Sequence, residues 1–227
     1  TDPVRNGDVP VHVSFLIDRS GSMSGLEGDV VGGFNAFVAK QRSEPGDCRL
    51  TAVQFDGQDP FDVLRDAAKI DSVTDLGLHD YQPRGNTPLF DALGNLIRSA
   101  DKRLAGLGSA EDQIIVVFTD GHENASRTWT REALFALIEE KKRDGWTFVF
   151  MGANQDSYTE GGKIGLATGN VQDYAATPES VSAAFGSMSR ATGEFRGKSR
   201  TQRGADKDAF FGGLKEAEKA LRRKKNN

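Results

Sequence analysis

The sequence predicts an α/β fold, a doubly wound and mostly parallel β-sheet with helices on both faces. Segments of strand length with apolar character alternate along the chain with segments of helical periodicity. At least two of the predicted strands are apolar on both faces, which is typical of parallel strands covered by helices. The length of 227 residues suits one sizeable domain with an appendage.

The first half of the chain predicts three strands and two helices. Residues 11–17 form an almost continuous apolar run, as expected of a strand buried on both faces. Residues 29–41 then place their apolar side chains on one helical face. Two further strands are predicted at residues 50–55 and 61–64, separated by turn-forming residues. Residues 89–104 keep the spacing of three and four that indicates a buried helical stripe.

The second half continues the alternation. Residues 113–119 are rich in β-branched side chains and predict a central strand. Thr130 can cap the helix that follows, and residues 147–151 predict another strand. Thr177 followed by Pro178 is typical of a helix start, because proline is favoured at the first helical position.

Composition changes along the chain predict four parts. Residues 1–10 form a polar N-terminal arm, and residues 11–192 form the α/β domain. Residues 193–208 are glycine-rich, polar and basic, so they predict a linker. Residues 209–227 regain helical periodicity and contain four consecutive basic residues near their end, which predicts an amphipathic helix with a basic end.

Charge and cysteine content argue against general binding to nucleic acid or lipid and favour a reducing compartment. The net charge of −4 gives no general attraction for nucleic acid or anionic lipid. Cys48 is the only cysteine, which excludes an internal disulfide and suits a reducing compartment. The sequence contains no signal-peptide pattern and no run of about 18 apolar residues. We therefore expect a cytoplasmic protein without a membrane contact.

Oxygen-bearing side chains follow two of the predicted strands. Asp18 and Asp120 each come directly after a strand, and the carboxyl ends of parallel strands meet at one edge of a sheet, where ligands bind. Ser20 and Ser22 alternate with glycine after Asp18, and Thr87 lies just before the long helix. Because every donor is oxygen, the set favours one hard divalent cation, Mg²⁺ before Ca²⁺ or Mn²⁺.

Three segments occur in this order along the chain: Asp18-x-Ser20-x-Ser22, the loop with Thr87, and Thr119-Asp120-Gly121. Together they resemble the metal-ion-dependent adhesion site (MIDAS) of von Willebrand factor type A domains, over roughly residues 11–192. The resemblance implies that Ser20, Ser22 and Thr87 coordinate the metal directly. It implies that Asp18 and Asp120 act through water, or that one of them coordinates directly, and that a Glu or Asp of a protein partner fills the remaining position. We expect the intracellular type known from bacteria and phages, whose members often act beside AAA+ ATPases as adaptors or assembly factors.

Two alternative functions compete with metal-dependent protein binding. A Mg²⁺-dependent phosphotransferase could use Asp18 as nucleophile, but haloacid-dehalogenase-like enzymes have a second aspartate where this chain has Ser20. The chain also has no phosphate-binding loop of the G-x-x-x-x-G-K-[ST] type. An assembly protein could instead use the fold for packing and residues 222–225 to contact nucleic acid or a neighbouring subunit. We predict a non-enzymatic binding domain and keep the assembly role as the alternative.

Overall fold

A computed structural model describes residues 9–153 and 157–212. Its strands are β1 (Val11–Asp18), β2 (Cys48–Phe55), β3 (Asp62–Lys69), β4 (Asp112–Thr119), β5 (Thr147–Ala153) and β6 (Val171–Tyr174). They form one six-stranded sheet in the order β3-β2-β1-β4-β5-β6. All neighbours pair in parallel except β2 and β3, which are antiparallel. The predicted doubly wound, mostly parallel sheet is confirmed.

The helices of the described residues are α1 (Glu27–Arg42), α2 (Leu89–Gly106), α3 (Arg131–Arg143), α4 (Ser157–Lys163), α5 (Pro178–Gly197) and α6 (Arg200–Asp206). Thr130 caps α3 as predicted, since its hydroxyl accepts a hydrogen bond from the Ala133 amide at 3.2 Å. The sequence predicts neither α4 nor α6, because seven residues are too few to show a clear helical period. The strand β6 is not predicted either, because its four residues are too few to show a strand pattern.

The core consists of two apolar layers, one on each face of the sheet. Phe15 of β1 packs with Phe34 of α1 and Phe185 of α5 in the first layer. Leu16, the next residue of β1, belongs to the second layer with α2 and α3. Because alternate residues of β1 are buried in opposite layers, its apolar run has no polar face. Cys48 is also buried in the first layer, which raises the pKa of its thiol to about 11.

The predicted linker at residues 193–208 is wrong, because α5 continues to Gly197 and α6 follows. Arg196 is buried and donates hydrogen bonds to the backbone carbonyls of Gln41 and Gly46, each at 2.7 Å. Arg203 is also buried and donates to the Arg196 carbonyl at 2.7 Å. The linker prediction treats these charges as solvated, whereas backbone carbonyls accept from both guanidinium groups inside the fold and Asp112 pairs with Arg203.

The ends of the chain are only partly described. Phe210 and Phe211 are buried in the first layer, so the start of the predicted C-terminal helix packs on the domain. Residues 213–227, including the basic group 222–225, and residues 1–8 of the predicted N-terminal arm lie outside the described residues. Within the part that the structure describes, no helix has the length and apolar character needed to cross a membrane.

The buried guanidinium of Arg196 predicts a large effect on stability. Arg196→Leu should lower the free energy of unfolding by about 3 kcal/mol, because charge-assisted hydrogen bonds to buried carbonyls are lost. The matched control Arg190→Leu changes an exposed arginine of the same helix and should shift the value by about 0.5 kcal/mol or less. Urea unfolding of both variants measures this difference. Equal effects of the two substitutions would contradict an anchoring role for Arg196.

Candidate metal centre

The predicted metal ligands lie at the point where the strand order of the sheet reverses. From β1 the chain proceeds to β2 and β3 on one side, then to β4, β5 and β6 on the other. The neighbouring strands β1 and β4 end at Asp18 and Thr119. In open α/β sheets the carboxyl ends of the strands beside such a reversal form a ligand-binding crevice.

Four oxygen-bearing side chains of the predicted set form a hydrogen-bonded cluster at this edge. The Ser20 amide donates to Oδ1 of Asp18 at 2.7 Å, and the hydroxyl of Thr119 donates to Oδ2 at 2.5 Å. The hydroxyl oxygens of Ser20 and Ser22 are 3.1 Å apart. Ser22 donates in turn to Oδ1 of Asp120 at 2.6 Å. The structure therefore brings Asp18, Ser20, Ser22 and Asp120 together, although they come from two loops about a hundred residues apart.

Gly121 shows that Thr87 belongs to the same cluster. A Cβ atom placed on Gly121 would lie 3.0 Å from Oγ1 of Thr87, 3.5 Å from Oγ of Ser22 and 3.6 Å from Oδ2 of Asp18. Thr87 is held there by Asn124, whose side-chain oxygen accepts from the Thr87 amide at 2.9 Å. Oxygens from the end of β1, the loop after it and the loop before α2 thus lie around one small volume beside Gly121, and a side chain at position 121 would intrude on this volume.

Burial makes it costly to keep the two carboxylates of this cluster ionised. Asp18 is fully buried and Asp120 is 8% exposed. Desolvation raises the pKa of Asp18 to about 6, against the lowering effect of the hydrogen bonds from Thr119 and Ser20. Burial likewise raises the pKa of Asp120. A bound cation would offset the cost of keeping both carboxylates ionised so close together.

The donor chemistry fits a hard divalent cation. Two carboxylates and three hydroxyls offer oxygen only, which suits Mg²⁺, Mn²⁺ or Ca²⁺ better than a soft metal. Among the described residues, no group of three or more His, Cys, Asp or Glu side chains could hold a metal. The serine and threonine hydroxyls are therefore needed to complete any metal site at this edge.

Asp56 positions two of the three loops, and the sequence analysis does not identify it. Its fully buried Oδ2 accepts from Nε of Arg19 at 2.8 Å and from Nε of Arg84 at 2.9 Å. Its Oδ1 accepts from the amides of Gln58 and Asp59. Although burial alone would raise it, the pKa of Asp56 is held below its ordinary value by these amide and guanidinium donors. In the sequence Asp56 looks like an ordinary turn residue.

Backbone hydrogen bonds complete the connection between these loops. The Arg84 amide donates to the Arg19 carbonyl at 2.9 Å, and the Gly21 amide donates to the Gly85 carbonyl at 3.0 Å. Gly85 has a φ of +69°, in the left-handed region that glycine adopts without strain. The loop after β1 and the loop before α2 are therefore fixed to each other independently of any metal.

Two buried tyrosines support the strand ends beneath the cluster. The Tyr81 hydroxyl donates to the Asp18 carbonyl at 2.5 Å, and the Tyr174 hydroxyl donates to the Thr119 carbonyl at 3.1 Å. Tyr174 also stacks on Phe118 with ring centroids 4.9 Å apart. The sequence analysis predicts neither tyrosine as a site residue, because each reaches the site only through the tertiary fold.

The loop after β4 is bound to the start of α2. The Glu123 carboxylate accepts from the Phe90 amide at 2.8 Å, and the Asp91 carboxylate accepts from the amides of Arg127 and Trp129 at 2.8 and 2.7 Å. Carboxylates are favourable at the N-terminus of a helix, where backbone amides are unpaired. This connection keeps the loop that carries Asp120 beside Thr87.

Comparison with known proteins gives one family and several structural neighbours. The model of the family described as von Willebrand factor type A domain matches residues 12–186. The structure of proximal thread matrix protein 1 from the mussel byssus, with a zinc-occupied MIDAS motif, aligns with a TM-score of 0.58 at 16% identity. This alignment covers 82% of this chain and 46% of the mussel chain.

Two further structures show the same fold. The open conformation of the pilus adhesin SpaC from Lactobacillus rhamnosus GG aligns with a TM-score of 0.58 at 14% identity, covering 82% of this chain and 30% of that one. The SpRpn10 VWA domain aligns with a TM-score of 0.52 at 17% identity, covering 77% of this chain and 93% of that domain. The chain thus spans less than half of the mussel protein and of the adhesin. A search of curated protein sequences gives no significant match.

The shared carboxylate of Asp56 predicts a coupled loss of stability and metal binding. Asp56→Asn should destabilise the fold by about 3 kcal/mol, because Arg19 and Arg84 lose their buried counter-ion. Metal affinity should fall as well, since both loops lose their common anchor. The control Asp59→Asn lies in the same turn, where its side chain accepts from the Phe61 amide. Urea unfolding and metal titration calorimetry test this, and an Asp56→Asn chain indistinguishable from the control would refute it.

The volume beside Gly121 predicts a substitution that affects metal binding more than folding. Gly121→Ala should reduce metal affinity about tenfold or more, because its methyl group would press on Thr87. In the unmodified chain, Mg²⁺ at a hundredfold excess over its dissociation constant should raise stability by about 2.7 kcal/mol. Gly28→Ala, which adds a methyl group in open space, is the control. Thermal unfolding with Mg²⁺, Mn²⁺ and Ca²⁺ measures both effects, and an unchanged metal response in Gly121→Ala would count against the site.

Proposed function

The chain belongs to the von Willebrand factor type A domain family, and on this premise we propose that it binds a protein partner through a divalent cation. The observation that carries the proposal is the convergence of oxygens from three loops: those of Asp18, Ser22 and Thr87 lie close to Gly121, and Asp120 accepts a hydrogen bond from Ser22. The proposed ligands are Asp18, Ser20, Ser22, Thr87 and Asp120. The partner is proposed to supply an aspartate or glutamate that completes the coordination shell.

The chemistry of the ligands supports an acidic partner. In the proposed site the hydroxyls of Ser20, Ser22 and Thr87 hold the cation, and these are neutral ligands. The carboxylates of Asp18 and Asp120 are already engaged by hydrogen bonds from Thr119 and Ser22. The cation supplies positive charge that this shell neutralises only in part, so an external carboxylate gains electrostatically by joining it.

The structural neighbours support a divalent cation and an adhesive role. The mussel protein has zinc in its MIDAS motif, and SpaC is a pilus adhesin. We propose Mg²⁺ for this chain, because its all-oxygen ligand set prefers a hard cation. We propose no catalytic activity. Ser20 stands where a phosphotransferase of the haloacid-dehalogenase type would need its second aspartate, and its hydroxyl contacts Ser22 instead.

The compartment and the class of partner are further parts of the proposal. A cytoplasmic location is supported by Cys48, the single cysteine, which is buried as a free thiol. The proposed partner is an AAA+ ATPase or an assembly subunit that exposes an acidic residue, because intracellular members of the family often act beside such proteins. The alternative assembly role through a basic tail depends on residues 222–225, which lie outside the described residues.

Affinity capture from the native source tests the proposed function. The unmodified chain should retain its partner with Mg²⁺, release it in EDTA and bind it again when Mg²⁺ is restored. Ser20→Ala/Ser22→Ala should fail to capture the partner, whereas Ser24→Ala, an exposed serine of the same loop, should behave like the unmodified chain. Capture that survives both EDTA and the double substitution, but is lost when residues 213–227 are deleted, would favour the assembly role instead.

A further inference from the structure

A second cavity lies at the end of the sheet opposite the metal site. Its volume is about 480 Å³, and it opens between the amino ends of β1 and β2 and the second half of α2. His12 and Ser14 of β1 and Thr51 of β2 line it on the sheet side. Asp18, by contrast, is the last residue of β1. The two sites are therefore at opposite ends of the same central strand.

Two polar groups lining this cavity are buried and unpaired. Ser14 is fully buried, and its hydroxyl has no hydrogen-bond partner among the described residues. Nε of Arg103, on α2, is likewise buried and unpaired there. Ser14 shares its strand face with Leu16, which belongs to the apolar layer under α2. An unpaired hydroxyl at such a position is costly unless a ligand or water satisfies it.

Two other buried polar groups of the wall, His12 and Thr51, are already engaged. Nε2 of His12 lies 2.9 Å from Oγ1 of Thr51, and burial, with Arg103 nearby, lowers the pKa of His12 to about 3, so its ring is neutral. Nη2 of Arg103 contacts the carboxylate of Glu111. The Arg103 guanidinium is therefore held in place on one side, while its Nε has no acceptor within the described part of the chain.

The mouth of the cavity is shaped by an irregularity in the edge strand. The pairing of β2 with β3 shifts register between Leu50 and Ala52, opposite Asp66 and Ala67. Ala67 has a φ of +43°, and its amide donates to Oγ1 of Thr51 at 3.0 Å. A bulge of this kind re-aims side chains, and here it brings Asp66 to the cavity.

We propose that this cavity binds a small organic carboxylate, whose oxygens accept hydrogen bonds from the Ser14 hydroxyl and from Nε of Arg103. Lys102 adds positive charge at the rim, and the apolar part of the ligand lies against Leu96 and Leu107. A monocarboxylate or a short dicarboxylate suits the site better than a phosphate, because Asp66 repels multiply charged anions at the mouth. This site requires neither the cation nor the protein partner of the metal site.

Benzoate and succinate, each compared with its uncharged amide, are the probes for this proposal. They are titrated into the ¹⁵N-labelled full chain without divalent metal, and amide chemical shifts are followed by NMR. Saturable shifts should concentrate around Ser14 and Arg103, and the amides should bind at least about tenfold more weakly. Ser20→Ala/Ser22→Ala should give the same titration. Absence of saturable shifts with both carboxylates, or shifts centred on the metal site, would overturn the proposal.

Ser14→Ala is the decisive variant, because it removes the unpaired hydroxyl without removing a protein hydrogen bond. It should raise the melting temperature of the free chain and weaken carboxylate binding about tenfold or more. Arg103→Gln should weaken binding similarly, with Arg98→Gln, an exposed arginine of the same helix outside the cavity, as control. Unchanged affinity in Ser14→Ala, or a lowered melting temperature, would show that the hydroxyl has a purely structural role and refute the proposal.

Discussion

The arrangement of the proposed metal site depends on one shared ion pair, in which the fully buried carboxylate of Asp56 binds two arginines. Arg19 lies inside the loop that carries Ser20 and Ser22, and Arg84 lies in the loop that leads to Thr87. Because both guanidinium groups donate to the same oxygen, the two loops cannot move apart without breaking an ion pair to the buried Asp56 carboxylate. The protein alone therefore positions the hydroxyls of the proposed site, so that a cation bound there would cost little conformational entropy.

The parts of the site that sequence can predict are those fixed by local pattern and topology. The strands before Asp18 and Asp120 are recognisable because parallel strands covered on both faces are apolar throughout. Once both strands are assigned to one parallel sheet, their carboxyl ends must meet at one edge. The placement of Thr87 follows from the helix that begins just after it. Their proximity in the structure reflects these general rules.

The parts that sequence cannot predict depend on contacts between distant segments. Asp56, Tyr81 and Tyr174 support the site through the backbone and side chains of other loops, and no local spacing marks them. Arg196 is one reason why the linker prediction is wrong. A basic residue in a glycine-rich segment is usually solvated, whereas here it donates to the backbone carbonyls of Gln41 and Gly46, which are far away in the sequence. Ser14 resembles an incidental polar residue in an apolar strand, since only the tertiary structure shows which face it occupies.

The two ends of the sheet differ in the charge that a bound ligand would need to have. At the carboxyl end, the polar groups around Asp18 are hydrogen-bonded, but two buried carboxylates raise the cost of negative charge. A positive ion would lower that cost. At the amino end, the Ser14 hydroxyl and Nε of Arg103 are donors without acceptors among the described residues, while Nη2 of Arg103 contacts Glu111. An acceptor oxygen with negative charge would meet the second need. The two proposed sites therefore rest on different groups at opposite ends of the sheet, and neither proposal depends on the other.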